Sequence, residues 1–159
     1  MDKSAFKRLL LETIQNVDNR FHPFVWIHGE PEVGRDTSIG GFSEVNARNS
    51  RVRIGANCDI ASFVAINCLD SHRRCIGLGE RLEYGDVWIG DHVFVGSHSV
   101  ILGGAIIGSH SVIAAGTVVR RERIPPFSLV VGNPATVKAG YYRKEWESVH
   151  GPYAGRDPV

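Results

Sequence analysis

From residue 89 onward an aliphatic side chain returns at every sixth position: Ile89, Val95, Ile101, Ile107, Ile113 and Val119. The same interval links Ile27, Val33, Ile39 and Val45, and then Ile54, Ile60 and Ile66. An α-helix repeats its buried face about every 3.6 residues and a strand every second residue. Neither yields a β-branched residue at each sixth place. A coil of three short strands joined by tight corners does. Each hexapeptide forms one side of a triangular prism, anchors point inward, and three hexapeptides make one turn of eighteen residues. Residues such as Ile89 and Ile107 then lie directly over one another, about 4.8 Å apart. A β-sandwich of short strands predicts irregular spacing instead.

The other repeat positions agree. Gly often follows the anchor (Gly34, Gly40, Gly55, Gly90, Gly96, Gly108), as expected where a corner needs dihedrals closed to other residues. Four places after the anchor stands a small or lightly polar residue: Thr37, Ser43, Cys58, Val64, Val93, Ser99, Ala105, Ser111, Thr117.

Three stretches leave the beat, and they divide the chain into a helical segment at 1–25, a β-helix at 26–138 and a tail at 139–159. Residues 4–18 place Phe6, Leu9, Leu10, Ile14 and Val17 on one helical face, with Ser4 as the expected cap. Residues 67–88 must leave the prism as an extruded loop, and loops of this length usually carry function. After Val119 two proline-marked turns end the coil. The tail beyond Lys138 carries Tyr141, Tyr142 and Trp146, then runs into Gly/Pro-rich sequence that is expected to be disordered.

The formal net charge of +1 gives no global field to recruit nucleic acid or an anionic membrane, so any anion site must be local. Cys58, Cys68 and Cys75 follow no metal-ligand spacing and read as free thiols in a reducing cytoplasm. No apolar run approaches a transmembrane span, and the N-terminus shows no secretory signal.

The run from Ile89 to Val119, with its Ile-Gly-Asp-His and Ile-Gly-Ser-His repeats, resembles the hexapeptide-repeat acyltransferases. Ile124-Pro-Pro-Phe-Ser-Leu-Val-Val-Gly-Asn-Pro-Ala is similar to their closing segment. The nearest pattern is that of galactoside and maltose O-acetyltransferases and of enzymes that acetylate bacterial surface sugars. The resemblance implies an all-β fold, a left-handed parallel β-helix, and a cytoplasmic homotrimer with active sites between subunits. The activity it implies is acetyl transfer from acetyl-CoA to a sugar or sugar-containing acceptor, with O-acetylation favoured. N-acetylation of a nucleotide-linked amino sugar and O-acetylation of an antibiotic remain open.

Acetyl transfer needs a base near neutrality to take the proton of a hydroxyl, and histidine fits. The resemblance assigns that role to His72, with no acyl-enzyme; Arg73 stands where many relatives carry Pro. Asp70, two residues earlier, is placed to orient the imidazole. Glu80, Glu83, Tyr84, Asn46 and Asn49 are candidate acceptor contacts, and Phe94 falls where relatives have an aromatic beside the site. Ser97, Ala115 and Gly116 match positions lining a pantetheine groove. Arg120, Arg121, Arg123 and Lys138 form an expected basic patch at the coil's end, with Arg120, Arg121 and Lys138 as contacts to the coenzyme's phosphates. Small residues and a charged cap are also what the coil itself requires at these positions. A γ-class carbonic anhydrase would need zinc-binding histidines, but His92, His98 and His110 share one outward corner slot and lack that family's His-x4-His spacing, so no metal is expected. A non-enzymatic scaffold would require neither the His72 loop nor the closing segment.

Overall fold

The computed structural model describes residues 2–14, 19–21 and 23–155. The chain winds into a parallel solenoid whose three walls are parallel sheets. The first wall stacks strands Trp26–His28, Glu44–Asn46, Ala65–Asn67, Val100–Leu102 and Val118–Val119. The second stacks Glu32–Val33, Val52–Ile54, Val87–Ile89, Ile106–Ile107 and Arg123–Ile124. The third stacks Ser38–Ile39, Asp59–Ile60, Phe94–Val95, Val112–Ile113 and Leu129–Val131, with Thr136–Lys138 closing it antiparallel. The architecture is the left-handed parallel β-helix.

Registers follow the repeat. Ile89 pairs with Ile107, Val95 with Ile113, and Ile101 with Val119, each eighteen residues on. Where the beat slips, the walls still align: Val45 pairs with Ile66, and Ile66 with Ile101. The extra residues therefore leave the prism without shifting the inward file. The coil does not end at Val119. It continues one residue short, pairing Ile107 with Ile124 and Ile113 with Val130. Anchors from Ile39 to Val130 are at most 5% exposed, whereas Ile27 and Val33, at the open first coil, are partly buried.

The small residues beside the anchors are buried, as expected, and their hydroxyls bind adjacent coils. Ser99 Oγ donates to the Ala114 carbonyl while accepting from the Thr117 amide. Ser43 does the same with Ala61 and Val64. These bonds satisfy polar groups in an apolar prism, where an orphan would cost about 1–3 kcal/mol.

The glycines act differently from expectation. The corner residues with positive φ are the third after each anchor and are mostly not glycine; they include Asp36, Phe42, Asn57, Phe63, His92, His98, His110 and Phe127. The glycine just after the anchor is required by proximity. A Cβ on Gly96 would sit 2.5 Å from the Ala115 amide nitrogen of the next coil. Corner side chains stack along the prism. Phe24, Phe42, Phe63 and His98 follow one another at centroid spacings of 5.1, 5.1 and 4.9 Å. His92, His110 and Phe127 do so on another corner, at 4.8 and 4.9 Å.

The termini depart from the sequence reading in three ways. Helix α1 spans Lys3–Thr13 and is capped by Asp2, whose side chain accepts from the Ala5 amide at 2.8 Å, not by Ser4. Its buried residue is Leu11, while Phe6 and Leu9 are about half exposed. The triplet Leu9-Leu10-Leu11 permits two apolar faces, and periodicity alone cannot choose between them. Val17 lies outside the described residues. The tail carries a C-terminal helix at residues 143–150 that the sequence reading did not anticipate, and Tyr153, beyond it, meets the Phe127 ring edge-on at 4.8 Å. Trp146 lies 5.4 Å from Phe127 and the Arg143 guanidinium 4.8 Å above it, so the helix caps the His92–His110–Phe127 corner.

Candidate active site

The extruded loop is a stem with a short helix on top. Leu69–Asp70 pairs antiparallel with Glu83–Tyr84, and residues His72–Cys75 form a single helical turn, α2. Its two roots are held at the prism. The Gly85 amide donates to the Cys68 carbonyl at 2.9 Å, and the Gly104 amide of the next coil donates to the Asp86 carbonyl at 2.9 Å. A Cβ on Gly103 would come within 2.9 Å of the Cys68 carbonyl oxygen and 3.0 Å of that of Gly85, so two glycines let the backbones meet. Asp86 ties the returning strand to the previous coil, accepting from the Arg51 amide at 2.9 Å and from its guanidinium at 2.8 Å. The Arg51 amide, together with its guanidinium, holds the Asp86 carboxyl below its ordinary range.

Asp70 and His72 form a dyad. Asp70 Oδ1 accepts from the His72 backbone amide at 2.9 Å and from ring Nδ1 at 2.7 Å. The His72 amide, then its ring, keep the Asp70 carboxyl below the usual range, with Arg121 adding a smaller pull. An ionised carboxylate only accepts, so Nδ1 donates the shared proton, and in the neutral ring Nε2 is the acceptor.

The dyad opens on a cleft of about 340 Å³ whose walls include Asn67, Cys68, Glu83, Leu102, Arg120 and Arg121. Arg121 lays its stem over Gly104 and points its guanidinium at Glu83, 3.8 Å away; Glu83 also meets Arg73 at 3.4 Å. Asn67 Oδ1 accepts from the Leu69 amide at 3.1 Å, which leaves its amide nitrogen as the group available to a ligand. Cys68 is buried, its thiol donating to the Arg48 carbonyl at 3.3 Å. Burial pushes that thiol upward, so it stays protonated at neutral pH.

Of the residues singled out in the sequence, His72, Asp70, Glu83, Arg120 and Arg121 come together in this cleft. Tyr84 lies on the stem, its hydroxyl accepting from Asn49 at 3.4 Å, so Asn49 braces the loop from the positive-φ turn of the coil below. Asn46 is buried and accepts from the Arg48 amide in its own turn. Glu80 is exposed and does not line the cleft. Phe94 sits on the third wall, 42% exposed, between Asp59 and Val112. Ser97 and Gly116 stack at the corner joining the third and first walls, where the Gly116 amide donates to the Ser97 carbonyl at 2.9 Å and Ala115 lies against Gly96.

The expected basic patch is divided. Arg120 and Arg121 face the cleft, Arg123 lies on a second-wall strand, and Lys138 lies on the third wall with its Nζ 5.9 Å from the Tyr141 ring. Solenoid geometry explains the split, since a few residues of chain carry it from one wall to the next. Asn67, Leu102 and Gly103 were missed as cleft residues. The stacking register was the signal: Leu102 pairs with Asn67, and one place beyond the Ile101–Val119 pair it brings in Arg120. His92 and His110 stack on one corner while His98 sits on another. Among the described residues no group of three or more His, Cys, Asp or Glu side chains is placed to hold a metal ion.

Comparison with known proteins agrees with this architecture. The bacterial transferase hexapeptide (six repeats) family matches residues 86–121. AntD, an N-acyltransferase from Bacillus cereus solved with dTDP and 3-hydroxybutyryl-CoA, has a TM-score of 0.67 at 20% identity, over 80% of this chain and 71% of AntD. That likeness is one of fold. The polySia-specific acetyltransferase NeuO is 28% identical with a TM-score of 0.58, over 73% of this chain and 61% of NeuO. Serine acetyltransferase (CysE) from Neisseria gonorrhoeae is also 28% identical, with a TM-score of 0.57, over 74% of this chain and 42% of CysE. This chain thus spans less than two thirds of NeuO and less than half of CysE. A search of curated proteins finds no match. Repeat and solenoid define a bacterial-transferase-type β-helix. Within that class, the chain resembles the hexapeptide-repeat acyltransferases. No helix among the described residues is long and apolar enough to cross a membrane.

Proposed function

We propose that this chain is an acetyl-CoA-dependent acetyltransferase acting on a sugar or sugar-containing acceptor, with O-acetylation favoured, and that His72 is its general base. The observation that carries the reading is the 2.7 Å contact between Asp70 and His72 Nδ1, which frees Nε2 at the mouth of a polar cleft. Nε2 takes the proton of the acceptor hydroxyl as its oxygen attacks the thioester carbonyl. The tetrahedral intermediate collapses, the carbon–sulfur bond breaks, and the imidazolium returns the proton to the departing thiolate. The products are an acetyl ester and free coenzyme A. Asp70 stabilises the imidazolium while it exists. Cys68, the thiol in the cleft, is held protonated and so is a poor nucleophile, which favours direct transfer over an acyl-enzyme.

AntD was solved in complex with CoA and with an acyl-CoA, and NeuO and CysE are acetyltransferases; these likenesses support acetyl-CoA as co-substrate. Ser97, Ala115 and Gly116 offer exposed backbone and small side chains where a pantetheine arm would run. We place that groove between neighbouring subunits of a homotrimer, which brings the Ser97 corner of one prism beside the His72 loop of the next. The test is release of coenzyme A thiol from acetyl-CoA across free sugars, acidic sugars, nucleotide sugars, chloramphenicol and serine. His72→Ala is expected to lower turnover about a hundredfold or more. Turnover near wild type in that variant overturns the role, and mass measurement of trimer against monomer tests the assembly.

A further inference from the structure

The charges around His72 do not cancel within the protein. Asp70 is engaged by His72. Glu83 is shared between Arg73 and Arg121. Arg120 lines the same cleft, is exposed, and among the described residues makes no ion pair or side-chain hydrogen bond. A general base works within hydrogen-bond reach of the acceptor hydroxyl, about 2.6–3.2 Å. A guanidinium in the same 340 Å³ cleft is therefore near the acceptor. The coenzyme's phosphates are separated from its thioester by the whole pantetheine arm and belong elsewhere.

We propose that Arg120 reads an anionic group on the acceptor, so that the preferred substrate is a carboxylate- or phosphate-bearing sugar rather than a neutral one. The inference rests on His72 being the base of this cleft. A planar guanidinium offers two parallel donors to either anion, and a charge-assisted bidentate pair is stronger and more directional than a neutral hydrogen bond. Arg121, kept in place by Glu83 and by its stem over Gly104, adds positive potential without being free to follow the ligand. Asn67 supplies a neutral donor for a sugar hydroxyl.

The experiment compares wild type, Arg120→Gln and Arg120→Lys on matched acceptors: glucose, glucuronate, glucose 1-phosphate and UDP-glucose. Wild type is expected to favour at least one anionic member over glucose by tenfold or more in kcat/KM. Preference for glucuronate indicates a carboxylate, and preference for the other two a phosphate. Arg120→Gln should erase the preference by raising acceptor KM about tenfold while KM for acetyl-CoA holds, and Arg120→Lys should restore part of it. Equal use of charged and neutral acceptors overturns the inference, as does a loss in Arg120→Gln that falls on acetyl-CoA instead. If no acceptor is acetylated, the functional reading itself fails. Calorimetric titration of glucuronate and glucose 1-phosphate into wild type and Arg120→Gln then decides separately whether the cleft holds an anion, and equal or absent binding counts against it.

Discussion

Replacing Asp70 with asparagine separates the charge of this residue from its shape. Asparagine keeps a carbonyl oxygen where Oδ1 stands, so both donors, the His72 amide at 2.9 Å and ring Nδ1 at 2.7 Å, keep an acceptor. Only the negative charge is lost. Both side chains are roughly half exposed, at 58% for His72 and 46% for Asp70, so the pair works in a dielectric close to water. Two unit charges 2.7 Å apart in that medium attract by about 1.5 kcal/mol. In the proposed mechanism the ring gains its charge as it takes the acceptor's proton, so this attraction favours the transition state over the ground state. Its loss corresponds to about a tenfold fall in kcat. Asp70→Ala also removes the ring's orienting partner, and misplacement of a catalytic group can cost on the order of a hundredfold. The assay is steady-state thiol release at saturating acceptor, which isolates kcat from binding. An Asp70→Asn enzyme with wild-type kcat, or an Asp70→Ala enzyme that loses only acceptor affinity, would refute the orienting and charge-stabilising role.

Three further outcomes follow from the scaffold. Ile107→Ala empties a fully buried anchor between Ile89 and Ile124 and should cost about 2–5 kcal/mol in chemical denaturation. Gly96→Ala pushes a Cβ into the Ala115 amide and should lower the melting temperature by several degrees, whereas Gly79→Ala, with nothing within 4 Å, should leave it unchanged. Burial, followed by the neighbouring His92, lowers His110 below its ordinary value near 6.5. Because the unfolded chain takes up this proton more readily, the stability tied to neutral His110 is present above pH 6.5 and is lost as pH falls through the lower folded value. His110→Phe, copying Phe63 and Phe127 in the same corner geometry, should make the fall of melting temperature between pH 7 and 5 shallower, and an unchanged slope would refute the assignment.

The solenoid was legible because its evidence is periodic. Every anchor from Ile39 to Val119 sits where the six-residue interval put it, and the departure at 67–88 contains the loop, which leaves the prism after Asn67 and rejoins it at Val87. Asp70 and His72 were also readable, since a contact two residues apart needs no knowledge of the fold. What stayed hidden depended on three-dimensional neighbours. The glycine after each anchor looked like a corner residue, but its constraint is the backbone of the next coil, which no local dihedral argument sees. Arg120 and Lys138 read as one basic patch at the coil's end, yet successive walls face different directions and carry them apart. The C-terminal helix has no long apolar face of its own, because its partner is the stacked ring of Phe127 rather than a broad core.

The way the loop is spliced into the prism separates two kinds of change. Ile66 and Ile101 pair as though the loop were absent, and the roots are held by backbone at Cys68, Gly85 and the Gly103–Gly104 step, with the Asp86 carboxylate tied to Arg51 beside them. Side chains between those roots can thus vary in number and chemistry at little thermodynamic expense to the tube. Descendants of this sequence could take up new acceptors by rewriting one short excursion, while the load of folding rests on residues that never meet a substrate.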